Sequence, residues 1–252
     1  MTTLDISAVI TAVTDKLHPV WRGFADMTQE ARVSAVDVSA NMYEADLRTQ
    51  VEKSAPAAGT AILSAFSGMK KACTDDDSEV FRLQRQTLLK NFLHACYTGT
   101  VTSLNASDAA GASTWLAYIA SMAKWEDDHE VMVAMMAAES GSVALDAAAS
   151  LVRDRLLAWF AEQIGIEAEE AIGAMERGRL FQAHLEAVEA IEFWRAIDGD
   201  LVTTLGSEKA SQIKNLVASF YDVTKAKDEA KIIAVSTELK DVMEQATASV
   251  SK

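Results

Sequence analysis

Two prolines and 11 glycines in 252 residues constrain this chain more than any other feature of its sequence. Average usage would supply roughly 30 of the two together. A β sandwich or barrel spends such residues on its many turns, so the shortage leaves little room for either and favours long helices. The apolar half of the chain points the same way. Only 7% of residues are aromatic while 50% are hydrophobic, so the apolar surface is mainly Ala, Val, Leu, Ile and Met. Side chains of that size suit closely packed helices.

Apolar residues recur at helical spacing from end to end. Residues 4–17 carry Ile6, Val9, Ile10, Val13 and Leu17, and Pro19 ends that run while opening the next. Residues 29–51 place Val33, Val36, Tyr43 and Leu47 on one side. Further helices are predicted over 57–73, 79–101, 114–125, the short Met-rich 131–138, and 145–164. Two more cover 167–205 and meet near Gly178, and a pair over 207–223 and 227–248 completes the chain. No strand alternation and no fixed-period repeat is visible. The expectation is an all-α fold of antiparallel helical bundles with about 9–11 helices. They would form one domain over residues 1–252, or two packed bundles joined near 103–112.

Charge narrows the partners. Lys and Arg number 23 against 37 Asp and Glu, a formal net charge of −14. Such a surface repels phosphate backbones and anionic lipid heads, so no nucleic-acid partner is expected. Direct membrane insertion is not expected either. The most apolar stretch, 131–152, is interrupted by Glu139, Gly141 and Asp146. Residues 1–5 lack the basic and apolar regions of a secretory signal. That start fits a cytoplasmic protein or a mature chain with a replacement Met. Cys73 and Cys96 are too few for a disulfide scaffold. An unbroken helix from Ser78 to Cys96 would hold them roughly 27 Å apart, against the 7 Å limit for a disulfide. Pairing would need a break in that helix or a long loop, and a bridge and two free thiols both remain open.

No phosphate-cradling glycine loop and no nucleophile elbow is present, so no enzyme is expected. The residues that could carry chemistry are carboxylates and four histidines. Glu126 and His129, three apart, would share a helix face as ligands do in bundle metal sites. A di-iron centre needs a second Glu-x-x-His, and His18, His94 and His184 have no Glu three residues earlier. That leaves a single-ion contribution beside the plainer reading of a solvated turn. From His184 the chain runs through Glu186, Glu189 and Glu192, carboxylates spaced along one side of a helix, whose repulsion a hard cation would relieve. Glu167 and Glu170 form a similar pair that reads as surface. Tyr43 beside Glu44 offers phenolate and carboxylate oxygens suited to ferric iron. Arg82 and Arg85, one turn apart and with Arg48 as a third cation, could grip a small oxyanion.

The segments Trp115-Leu116-Ala117-Tyr118, Val152-Arg153-Asp154-Arg155-Leu156-Leu157 and Met175-Glu176-Arg177-Gly178-Arg179 lead into residues 182–194. Their order and spacing resemble the helical extracytoplasmic domain attached to bacterial iron permeases over about residues 82–220. They resemble still more the algal periplasmic iron-assimilating, high-carbon-dioxide-inducible family. The resemblance implies a periplasmic or extracellular ferric-iron-binding protein that assists high-affinity uptake beside a membrane iron permease or ferroxidase. It implies Fe3+ as cargo, with carbonate or another small anion as co-ligand. Carried residue by residue, the family's Glu-x-x-Glu ligands fall on Glu186 and Glu189, and less well on Glu167 and Glu170. His184, Glu126, His129, Tyr43 and Glu44 are the candidate supporting ligands, and Arg82 and Arg85 the candidate anion site. The permeases' Arg-Glu-x-x-Glu element is missing, so transport by this chain itself is not implied. The sequon at Asn105 is compatible with secretion. The rival reading is a helical scaffold or interaction protein whose acidic surface only keeps it in solution.

Overall fold

The computed structural model describes residues 5–250, and helix dominates them. The predicted helix start at residue 4, the three residues before it and the last two residues lie outside that range. The helices are α1 (Ile6–Asp15), α2 (His18–Gly23), α3 (Gln29–Asp46), α4 (Arg48–Ser54), α5 (Pro56–Asp75) and α6 (Ser78–Asn105). There follow α7 (Ala109–Ala123), α8 (Glu130–Glu139), α9 (Leu145–Glu176), α10 (Leu180–Leu205), α11 (Ser207–Lys225) and α12 (Glu229–Val250). A 3-10 turn, Phe24–Asp26, follows α2. The all-α expectation holds. Among the described residues no helix is long and apolar enough to cross a membrane.

Local chemistry sets the boundaries. Side-chain oxygens of Asp5, Thr28, Asp77 and Asp108 cap α1, α3, α6 and α7 by accepting from first-turn N–H groups. Pro19 and Pro56 sit in the first turns of α2 and α5, where a missing N–H costs nothing. Two breaks differ from the sequence reading. The run over 29–51 breaks at Leu47, whose backbone leaves the helical region at φ −126°. The break placed between 164 and 167 is absent, because Gly165 sits mid-helix with no second breaker beside it and α9 runs on to Glu176.

The chain forms two compact units, one up to Ser150 and one from Leu151 on. The boundary falls inside α9, and residues 103–112, from the end of α6 to the start of α7, lie within the first unit. In the first unit α5, α6 and α7 pack in succession. Tyr43 lies between Phe66 and Phe92, each ring centroid 5.9 Å away, and Phe24 packs at a tilt on Phe81 at 5.5 Å. Cys73 on α5 and Cys96 on α6 are free and buried. With α6 unbroken, Cys96 is carried about 27 Å along the axis from the turn beside Cys73, which prevents a bridge.

In the second unit α10 packs on α11, and α11 on α12. The part of α9 beyond residue 151 returns against α10 through a short turn at Gly178, whose φ of +66° suits glycine. Trp159, Phe160 and Phe193 form a three-ring knot with centroids 5.1–6.0 Å apart. Ala168, Ala171 and Ala174 on α9 and Ala183, Ala187 and Ala190 on α10 are wholly buried, so the two backbones lie close.

Candidate metal centre

The ring knot fixes the register of the α9–α10 hairpin, and the register places the carboxylates. From Phe160 to Glu167 is seven residues, about two turns along the same face. Counting back from Phe193, the same two turns lead to Glu186. Antiparallel helices that pack Phe160 edge-on against Phe193 therefore set Glu167 opposite Glu186, with Glu189 one turn further along α10. Glu167, Glu186 and Glu189 are 6%, 4% and 8% exposed. Each offers a carboxylate oxygen within 4.8 Å of those of the other two.

Burial of like charges has a visible electrostatic consequence. Removing Glu186 from water pushes its carboxyl up to about 7, and the neighbouring charges of Glu189 and Glu170 push the same way. Hydrogen bonds from Gln182 and with Glu167 pull in the opposite direction. A multivalent cation would relieve the repulsion, because its positive charge offsets that of the carboxylates around it.

The other predicted donors are placed elsewhere. Glu192 is buried but turned to Arg195, 2.6 Å away. Each three-residue step slips about 60° around a helix, so over two steps Glu192 points well away from Glu186. The three carboxylates read along one side are therefore two, joined by Glu167 from α9. His184 lies two residues, about 200°, from Glu186. Its Nδ1 meets the Thr224 hydroxyl at 3.1 Å and its ring packs on Tyr221. Burial, Lys225 and Lys227 lower its pKa, which keeps the ring neutral.

Glu126 and His129 do not share a helix face. They occupy the turn between α7 and α8, where Glu126 is exposed and its carbonyl accepts from the His129 N–H. His129 caps α8 by accepting the Val131 N–H on Nδ1, and its ring stacks on Trp125 at 4.6 Å. Tyr43 is wholly buried, whereas Glu44, its neighbour, is exposed and paired to Arg48. Burial, above all, pushes the Tyr43 phenol up to about 12, which opposes a phenolate ligand. Arg48 is held between Glu44 and Glu52, and the Arg85 guanidinium lies over the Trp21 ring at 4.9 Å. Arg82 is half-buried beside it on α6. All of these belong to the first unit, whereas the three-glutamate group belongs to the second.

Glu167 is the donor that the sequence reading assigned to the surface. Its partner Glu170 is indeed exposed, but Glu167 is buried. The seven-residue spacing to Phe160, mirrored from Phe193 to Glu186 across Gly178, is the signal that would have found it.

Residues 7–245 match the iron permease FTR1 N-terminal domain family. The chain belongs to that family. The match spans nearly all of the sequence and places both units in an iron-uptake context. No curated protein and no solved structure matches the chain. Within this family member, the group among the described residues able to offer three clustered donors is the buried glutamate trio.

Proposed function

We propose that this chain is a periplasmic or extracellular carrier of ferric iron, which it binds on Glu167, Glu186 and Glu189 and presents to a membrane iron permease or ferroxidase. The observation that carries the reading is the convergence of three buried carboxylates in a member of an iron permease family. Fe3+ is a hard cation that prefers oxygen donors, and three carboxylates cancel its charge. Water or a small anion such as carbonate completes the coordination. The role is carriage rather than catalysis, since every donor is a carboxylate and the nearest histidine faces the other side of α10. The family's iron-uptake context supports an extracytoplasmic location.

Titration with Fe3+ supplied as its nitrilotriacetate complex, followed by equilibrium dialysis, tests this. One ion should bind per chain. Glu186→Gln with Glu189→Gln should weaken binding by about 100-fold or more, since both ligand charges are lost. Asp127→Asn with Asp128→Asn removes the same charge from an exposed turn and should change little. Equal losses in the two variants would reduce the effect to bulk electrostatics. Binding no better than that of an unrelated acidic protein would favour the scaffold reading.

A further inference from the structure

Helix α8 departs from the rule that a helix apolar on all sides is buried. Its residues 131–138 are all Val, Met or Ala, yet only Val131 and Met135 are buried. Val133 and Met136, one turn apart on the outward side, are 48% and 47% exposed. Val143 is folded back against the helix end by its N–H donating to the Ala137 carbonyl, and is itself exposed. Met122 is exposed in the last turn of α7, the helix that packs on α8. Of the ten large apolar side chains exposed among the described residues, four fall between positions 122 and 143.

Charge frames this apolar stretch. Glu126, Asp127, Asp128 and Glu130 are exposed at the N-terminal end of α8, and Glu139 at its C-terminal end. Lys124 is the one Lys or Arg between 122 and 143. The acidic turn is held in place by the Trp125–His129 stack and by the left-handed backbone of Lys124 at φ 56°.

We propose that α8 and its acidic ends form a docking surface for a basic amphipathic helix of a partner protein. The partner's apolar face lies on Val133, Met136, Met122 and Val143, and its Lys or Arg flanks meet Glu126 to Glu130 and Glu139. Methionine's flexible thioether accommodates varied partner side chains, and a helix laid in an apolar groove is a recurrent recognition mode. Two other occupants are disfavoured by the same charges. A second copy would set these carboxylates against themselves, and an anionic bilayer meets the same repulsion. The surface lies in the first unit and does not depend on the iron reading.

Two labelled 18-residue amphipathic peptides with identical Leu faces, one with Lys and one with Glu on the polar face, test this by fluorescence anisotropy. The Lys peptide should bind, and its affinity should fall about tenfold from low to moderate salt. The Glu peptide should not bind. Val133→Ala with Met136→Ala keeps helix propensity and every charge, and should weaken the Lys peptide at least about tenfold while circular dichroism is unchanged. Unchanged affinity in that folded variant would overturn the proposal, because the attraction would be bulk charge. It would equally be overturned by equal binding of the two peptides, or by no binding of either. Dimerisation in sedimentation equilibrium, or binding to phosphatidylserine vesicles, that the same variant abolishes would assign the face to another occupant and overturn the basic-helix proposal.

Discussion

Glu186 carries the electrostatic strain of the site. Its carboxyl is raised to about 7 by burial first and by neighbouring carboxylates second, against 4.5 for an ordinary glutamate. Between those two values the folded chain binds more protons than the unfolded one, so Glu186 makes stability fall as pH rises across that window. Glu186→Gln should remove this fall and stabilise the iron-free protein at pH 8 by on the order of 2 kcal/mol. Urea unfolding of both proteins at pH 4.5 and pH 8 measures it, and equal stability at both pH values would refute the burial argument. Iron reverses the requirement, since a ligand must lose its proton to bind. Ferric affinity should therefore climb as pH rises through about 7. Much of this was legible in the sequence: Glu186 and Glu189 stand out as Glu-x-x-Glu on a helix. Glu167 was not, because a residue's burial depends on the helix that covers it. Tyr43 and His129 were misplaced for a related reason. A donor's type and spacing do not reveal whether its side chain faces the core, as Tyr43 does, or caps a helix, as His129 does.

At the scale of elements, register and close approach decide what the spacing of apolar residues leaves open. The helices were legible because breakers are so scarce, and Pro19, Pro56 and Gly178 mark ends that the structure keeps. The break at Leu47 was not legible, since no proline or glycine marks it, whereas the continuity through residues 164–167 follows from the lack of a second breaker beside Gly165. Close approach is most severe between α6 and α7. A Cβ placed on Gly99 would meet ring atoms of Trp115 at 2.3–2.6 Å. Gly99→Ala should push that indole out of its seat at a cost of about 1–3 kcal/mol. A lowered denaturation midpoint with a red shift in tryptophan emission would show it, and wild-type stability would contradict the packing assigned to this pair. The edge-on Phe160–Phe193 contact plays the corresponding part in the second unit, where ring contact is converted into carboxylate geometry two turns away.

Across the whole molecule, chemistry is divided between the units. The second unit gathers buried glutamates, while the acidic turn and apolar α8 belong to the first. The acidity read from composition thus resolves into a buried trio, a buried Glu192 paired to Arg195 and a solvated majority, a division that net charge alone does not contain. The central claim is that iron is held by that trio. The most direct test is a crystal of the iron-loaded protein with an anomalous difference map collected above and below the iron absorption edge. The account predicts one strong peak per chain, within coordination distance of Glu167, Glu186 and Glu189 and lost in Glu186→Gln/Glu189→Gln crystals. A peak at Glu126 and His129, at Tyr43 and Glu44, or at no glutamate of the α9–α10 hairpin would contradict it.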